Sequence, residues 1–170
     1  GDFALATISA VSDDLTVTCT EVEDAGNFTN FTSALTIAAS NVDFTNCKFA
    51  DTIAVNDINS SFTNGSMAGA LTIGAATTLV DNVTVSSTTT LEATGITIQN
   101  STIKNTISSA DGQDVEGLTL TGNTFDGATN HEAISIGTGS SSNTAITISD
   151  NTLTGKVTKA AVIKSGKALI

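Results

Sequence analysis

Proline, tryptophan, tyrosine and arginine are absent from this 170-residue chain; histidine and methionine occur once each and cysteine twice. Each shortage excludes something. With no arginine, and 6 lysines against 17 acids for a net charge of −11, the chain lacks the cations that displace counterions from a phosphate backbone. Nucleic acid is therefore excluded as a partner. No apolar run approaches the roughly 18 residues of a spanning helix, so no membrane insertion is expected. Two cysteines are too few for a disulfide-scaffolded mini-protein, and Cys19 and Cys47 are too far apart for a zinc knuckle. Charged residues are scarce at 14%, yet the apolar share of 39% is too high for a disordered chain. Ala, Leu, Glu and Lys are too few and scattered for a helical bundle, whereas Thr, Ile and Val favour strands.

The length is that of one ordinary domain. The chain starts at Gly1 without Met or a basic and apolar leader, which reads as a mature or trimmed form. A single domain over 1–170 is expected: an N-terminal edge segment (1–13), a repeat region (14–155) and a C-terminal edge segment (156–170).

The repeat is carried by asparagine. Asn46, Asn64, Asn82 and Asn100 recur at one constant interval. Asp14 and Asn30 extend the series upstream at slightly shorter intervals, and Asn123 and Asn151 extend it downstream at longer ones. Each lies near the end of a short alternating segment, such as Ile96-Thr-Ile98-Gln-Asn100 or Ile146-Thr-Ile148-Ser-Asp-Asn151. Soon after most of them comes an apolar residue: Phe49, Met67, Val85, Ile103, Phe125, Leu153. A second alternating strand follows in most units, as in Leu35-Thr-Ile37, Ile53-Ala-Val55, Leu71-Thr-Ile73 and Ile134-Ser-Ile136.

A parallel β-solenoid of about seven to eight coils accounts for this pattern. Alternation turns Ile, Leu, Val and Phe inward and Thr outward. Each strand pairs with its equivalent about 4.8 Å along the axis. Asp14, Asn30, Asn46, Asn64, Asn82, Asn100, Asn123 and Asn151 then form one ladder at a corner, because a side-chain amide both donates and accepts and Asn tolerates the left-handed conformation of a tight turn. Lack of proline fits, since every interior strand needs its N–H. Loop insertions near Ser108–Glu116 and Gly137–Asn143 explain the longer intervals.

The pattern apolar-x-apolar-x-x-Asn-x-apolar, clearest in Leu118–Phe125 and Ile146–Leu153, resembles the right-handed parallel β-helix repeat of the pectate-lyase-like superfamily. The resemblance covers nearly the whole chain. It implies an architecture shared by lyases, tailspikes, adhesins and polymeric surface proteins, and so carries little function. The coils between Asn46 and Asn100 are shorter than most in that superfamily, which leaves a flatter β-arch stack and the left-handed form open; the lack of a hexapeptide Leu/Ile-Gly pattern weighs against the latter. Composition, stacking and the cysteine pair are also similar to the β-arch proteins that build tubular sheaths around some archaeal cells.

Candidate chemistry is sparse. His131, in Asn130-His131-Glu132, has the residue type of a general base beside a carboxylate; the simpler reading is a solvated loop. Enzymes with a resembling β-helix use Arg or Lys near clustered carboxylates, a combination not seen here, so no enzyme and no cofactor are expected. Asp111, Asp114 and Glu116 offer three carboxylates within six residues, a weak calcium candidate without EF-hand spacing. Sequons occur at Asn27, Asn30, Asn59, Asn64, Asn82 and Asn100. Four coincide with ladder positions, where an inward amide cannot carry a glycan, so Asn27 and Asn59 are the expected acceptors.

Self-assembly is favoured by two features. Residues 1–30 hold six acids and no base, and residues 151–170 hold four lysines and no acid, so head-to-tail stacking joins opposite signs. Neither end shows a capping unit, and apolar strand-like ends invite another chain. Counting two coils between Cys19 and Cys47 gives an axial offset of about 10 Å, beyond disulfide reach. A disulfide is thus expected between Cys19 of one subunit and Cys47 of another, with two free thiols as the alternative. These features lead to an extracellular or cell-surface homopolymer subunit: a sheath, surface layer or filament. A carbohydrate-binding adhesin or polysaccharide-active enzyme is the alternative, and an ice-binding solenoid, which needs a flat two-wide Thr face, is the second.

Overall fold

The structure is a computed structural model that describes residues 7–9, 14–19, 30–137 and 145–164, and the backbone of 168–169. Strands account for 60% of it, and no helix occurs among the described residues. The chain runs β1 (Thr7–Ser9), β2 (Leu15–Thr18), β3 (Leu35–Ala38), β4 (Val42–Thr45), β5 (Lys48–Phe49), β6 (Ile53–Val55), β7 (Ser61–Met67), β8 (Leu71–Ile73) and β9 (Leu79–Val85). It continues through β10 (Thr89–Leu91), β11 (Thr97–Gln99), β12 (Thr102–Ile103), β13 (Ile107–Ser109), β14 (Thr119–Thr121), β15 (Thr124–Ile136), β16 (Ile146–Ser149), β17 (Thr152–Ile163) and β18 (Ala168–Leu169).

Every ladder is parallel, and the strands fall into three columns. The first is β1–β3–β6–β8–β10–β13 and then the C-terminal ends of β15 and β17. The second is β2–β4–β7–β9–β11–β14–β16–β18. The third joins β5 to the C-terminal ends of β7 and β9, then to β12 and the N-terminal ends of β15 and β17. Parallel neighbours ordinarily need a helical crossover of about a dozen residues. Here the crossover from one strand to its parallel neighbour is made of the other two columns. The chain returns to the first column at equal intervals, at Leu35, Ile53, Leu71, Thr89 and Ile107.

Period-two alternation places the core. In β3, β6 and β8 the outer residues of each triplet Leu35-Thr-Ile37, Ile53-Ala-Val55 and Leu71-Thr-Ile73 are buried and the middle one half-exposed. The third column contributes Phe31, Phe49, Met67, Val85, Ile103 and Phe125, all buried. Like residues stack on like: Phe44 on Phe62 with centroids 5.2 Å apart, and Phe31 on Phe49 at 4.7 Å. The two stacks meet edge to face, as at Phe44–Phe49. Such pairs add about 0.5–1.5 kcal/mol beyond area burial.

The later intervals lengthen. Thr97 pairs with Thr119, and Thr119 with Thr147, each return being longer than the one before it. The insertions expected around Ser108–Glu116 and Gly137–Asn143 lie on these paths; residues 138–144 fall outside the described residues. A third insertion lengthens the return from Ile107 to its partner Ile134. Between Gly127 and Ala133 strand β15 bulges out, with register shifts against β17 at His131. A strand with an extra stretch can stay paired when its neighbour bulges with it, and β17 does so. The N-terminal edge segment lies mostly outside the described residues, which hold only Thr7–Ser9 of it.

Candidate functional site

The feature that repeats most regularly is the corner between the second and third columns. Here the chain changes direction at one residue with positive φ: Asn46 (60°), Asn64 (55°), Asn82 (54°), Asn100 (50°), Gly122 (65°) and Asp150 (56°). The left-handed region is cheap for Gly and tolerable for Asn and Asp, which is why these types recur. The side chains face outward; all four Asn are exposed. Asn82 Nδ2 donates to Asn64 Oδ1 at 2.7 Å. Asn100 Nδ2 turns instead to Asp81 Oδ1 at 2.9 Å, while Gln99 Nε2 takes the other oxygen of Asp81 at 2.9 Å.

The next residue along the chain points inward, and there a second, buried polar ladder runs. Asn123, 1% exposed, accepts the Ser101 N–H at 3.0 Å and donates to the Ile98 carbonyl at 2.8 Å. Its own N–H goes to Asn151 Oδ1 at 2.9 Å, and Asn151 Nδ2 donates to the Leu120 carbonyl at 2.9 Å. Ser101 Oγ accepts from the Val83 N–H at 3.1 Å and donates to the Gln99 carbonyl at 2.7 Å. These bonds satisfy backbone groups that the corner leaves unpaired.

The eight residues read as one ladder therefore occupy four kinds of position. Asn46, Asn64, Asn82 and Asn100 share the outer corner, and Asn123 and Asn151 the inner one. Asn30 is buried and accepts the Lys48 N–H at 2.7 Å. Asp14 precedes Leu15, which pairs with Val42, so it aligns with Asn41 at a different corner. Counting asparagines merged these sites because the same amide serves adjacent positions, and a single-residue offset is invisible when intervals vary.

That different corner joins the first and second columns. Asn41 (φ 58°), Asn59 (60°), Thr77 (58°), Gly95 (66°), Gly117 (72°) and Ala145 (57°) hold it. Asn59 Nδ2 donates to Asn41 Oδ1 at 3.0 Å, and Thr77 Oγ1 donates to Asn59 Oδ1. The sequence places Asn59 clear of any ladder; in the structure it stands in one. The equal spacing of Asn41, Asn59, Thr77 and Gly95 was a signal, obscured by its change of residue type.

The cysteines require a further correction. Cys19 and Cys47 are bonded to each other within one chain, with Cα atoms 5.0 Å apart. Thr18 pairs with Thr45, so Cys19 lies one rung from Cys47, not two. The interval from Leu15 to its partner Val42 is much longer than that from Leu35 to Ile53, and dividing it at Asn30 created a coil that does not exist. The intersubunit link expected from that count is replaced by this intrachain bond, of a kind that is common in oxidising compartments.

Beside the disulfide, Thr18, Cys19, Asn46, Lys48, Asn64 and Ser66 help to wall an open cleft of about 630 Å³. Gly65 approaches the neighbouring rung so closely that a Cβ would sit 2.2 Å from the Cys47 carbonyl oxygen.

His131 and Glu132 do not form a base and carboxylate pair. His131 Nδ1 lies 2.8 Å from the Thr129 carbonyl, and its ring covers Gly127, where a Cβ would fall 1.8 Å from Cε1. Glu132 is bonded to Lys159 Nζ at 2.8 Å. That hydrogen bond chiefly, aided by the Lys159 charge and the Ser135 hydroxyl against some desolvation, holds the Glu132 carboxyl below its ordinary range. Asp111 meets Lys164 Nζ at 3.2 Å. Asp111, Asp114 and Glu116 do not converge, and among the described residues no three acidic, His or Cys side chains are placed to hold a metal. Asn27 lies outside the described residues. No helix among the described residues is long and apolar enough to cross a membrane. Comparisons with family models, curated proteins and solved structures found no match.

Proposed function

We propose that the three columns are the sides of a β-solenoid of about seven to eight windings, in the manner of the pectate-lyase-like repeat, and that it serves as a structural subunit of an extracellular polymer. A sheath, surface layer or filament fits, with a second copy of the chain as the partner. The observation that carries this is Leu153. It occupies the third-column position at which Phe49, Met67, Val85, Ile103 and Phe125 are each buried, yet it is 45% exposed. It belongs to β17, a strand of 12 residues that is exposed from Thr152 to Lys156 and shows no ladder on its outer side among the described residues. A further parallel strand laid on β17 would cover Leu153 and pair the backbone beside it, and in this reading a second copy of the chain supplies that strand. Lys156, Lys159 and Lys164 gather at this end, and by sequence residues 1–30 hold six acids and no base, the opposite sign that a head-to-tail stack calls for.

The alternatives draw less support. The cleft beside Asn64 has no aromatic side chain among its lining residues, although glycan-binding grooves commonly stack sugars on aromatics. On the second column the outward pairs Thr119/Thr121 and Thr147/Ser149 begin a flat hydroxyl face, but Asp43, Leu79, Asp81 and Gln99 interrupt it. Negative-stain microscopy with sedimentation velocity tests the proposal. Regular fibres or tubes from the wild type, lost in L153K, are expected; a dispersed monomer at high concentration overturns it.

A further inference from the structure

We propose that Asn64 is an N-glycosylation site, selected by the geometry of the outer corner. Five sequons have a described asparagine: Asn30, Asn59, Asn64, Asn82 and Asn100. Transfer requires an exposed amide nitrogen that is not already engaged. Asn30 is buried. Asn59 Nδ2 is held by Asn41, Asn82 Nδ2 by Asn64, and Asn100 Nδ2 by Asp81. The Asn100 carboxamide also lies over Gly122, its Oδ1 2.9 Å from where a Cβ would be. Asn64 differs from all of them. Its carboxamide is exposed, its oxygen accepts from Asn82, and its nitrogen donates to no group among the described residues.

The surroundings suit a first sugar. The sequon is Asn64-Gly65-Ser66, and Gly65 puts no side chain beside the acceptor. Asn64 and Ser66 both line the open cleft of about 630 Å³, which provides room next to the amide. A sugar on Nδ2 leaves Oδ1 free to keep its bond from Asn82. In the reaction, the C1–O bond of a polyprenyl-diphosphate-linked glycan breaks and an Nδ2–C1 bond forms. The diphosphate leaves with the bonding pair, and Nδ2 gives one proton to the transferase's base.

This inference shares with the scaffold proposal only export of the chain, and its test does not depend on assembly. A single-subunit oligosaccharyltransferase is first chosen for accepting a free peptide of residues 60–68. The folded, disulfide-bonded protein is then incubated with that enzyme and its lipid-linked glycan, and read by intact mass and peptide mapping. One added glycan on the Asn64 peptide is expected. It is lost in N64Q and in S66A, the latter removing a hydroxyl that makes no hydrogen bond among the described residues, and it is retained in N82Q. No addition to the folded chain, or addition at Asn27, Asn59, Asn82 or Asn100 with Asn64 left bare, overturns the inference.

Discussion

Cys19 and Cys47 are 28 residues apart in the chain and one rung apart in the second column, where Thr18 lies beside Thr45. The bond thus closes a long first interval onto the repeat that follows it. By the chain-entropy account, closing a loop of this length stabilises the fold by about 3–4 kcal/mol.

Denaturant unfolding of C19S with C47S is therefore expected to show a loss of about 3–4 kcal/mol against the oxidised wild type, and reductant is expected to bring the wild type down to the double variant. Non-reducing electrophoresis should show a monomer. A covalent dimer that disappears with reductant would contradict the intrachain bond.

Asn82 tests the outer corner. At its φ of 54° a side chain other than Asn or Gly incurs strain of about 1–2 kcal/mol. N82G is expected to unfold with little change, N82A at a cost of about 1 kcal/mol, and N82V at more. Urea midpoints give the order directly. If N82V were as stable as N82G, the left-handed corner would be wrong at this position.

Asn123 tests the inner ladder. Alanine there leaves the buried Ser101 N–H without its partner, while the Ile98 carbonyl keeps its place in the β11–β14 ladder. Such an orphan costs about 1–3 kcal/mol, so N123A is expected to lose more than N82A. Hydrogen exchange should localise the loss to the Ser101 amide. A loss no greater than that of N82A would show that Asn123 is not buried as described.

The Glu132–Lys159 pair gives a pH test. The glutamate's folded pKa lies below its ordinary 4.5 because Lys159 bonds the carboxylate. A depressed carboxylate contributes stability that is fully present above its unfolded pKa and lost as pH falls through the folded one. The difference in melting temperature between wild type and E132Q is thus expected at neutral pH and to fade below pH 4.5. Because the pair is exposed, added salt should shrink that difference. A difference that grew on acidification would refute the assignment.

Local chemistry and tertiary register divide the molecule between them. The sequence alone determined the strands, their inward and outward faces and the constant return between Asn46 and Asn100, since alternation and turn-forming Asn are short-range properties. Leu35, Ile53 and Leu71 could be set in line by counting because no insertion separates them. Where insertions intervene, counting fails. Only pairing in space decided that Cys19 faces Cys47, that Asn123 is buried while Asn100 is exposed, and that His131 rides a bulge. The physical reason is that a parallel ladder fixes register by backbone hydrogen bonds between strands, and those bonds ignore how many residues the chain spends in a loop before it returns.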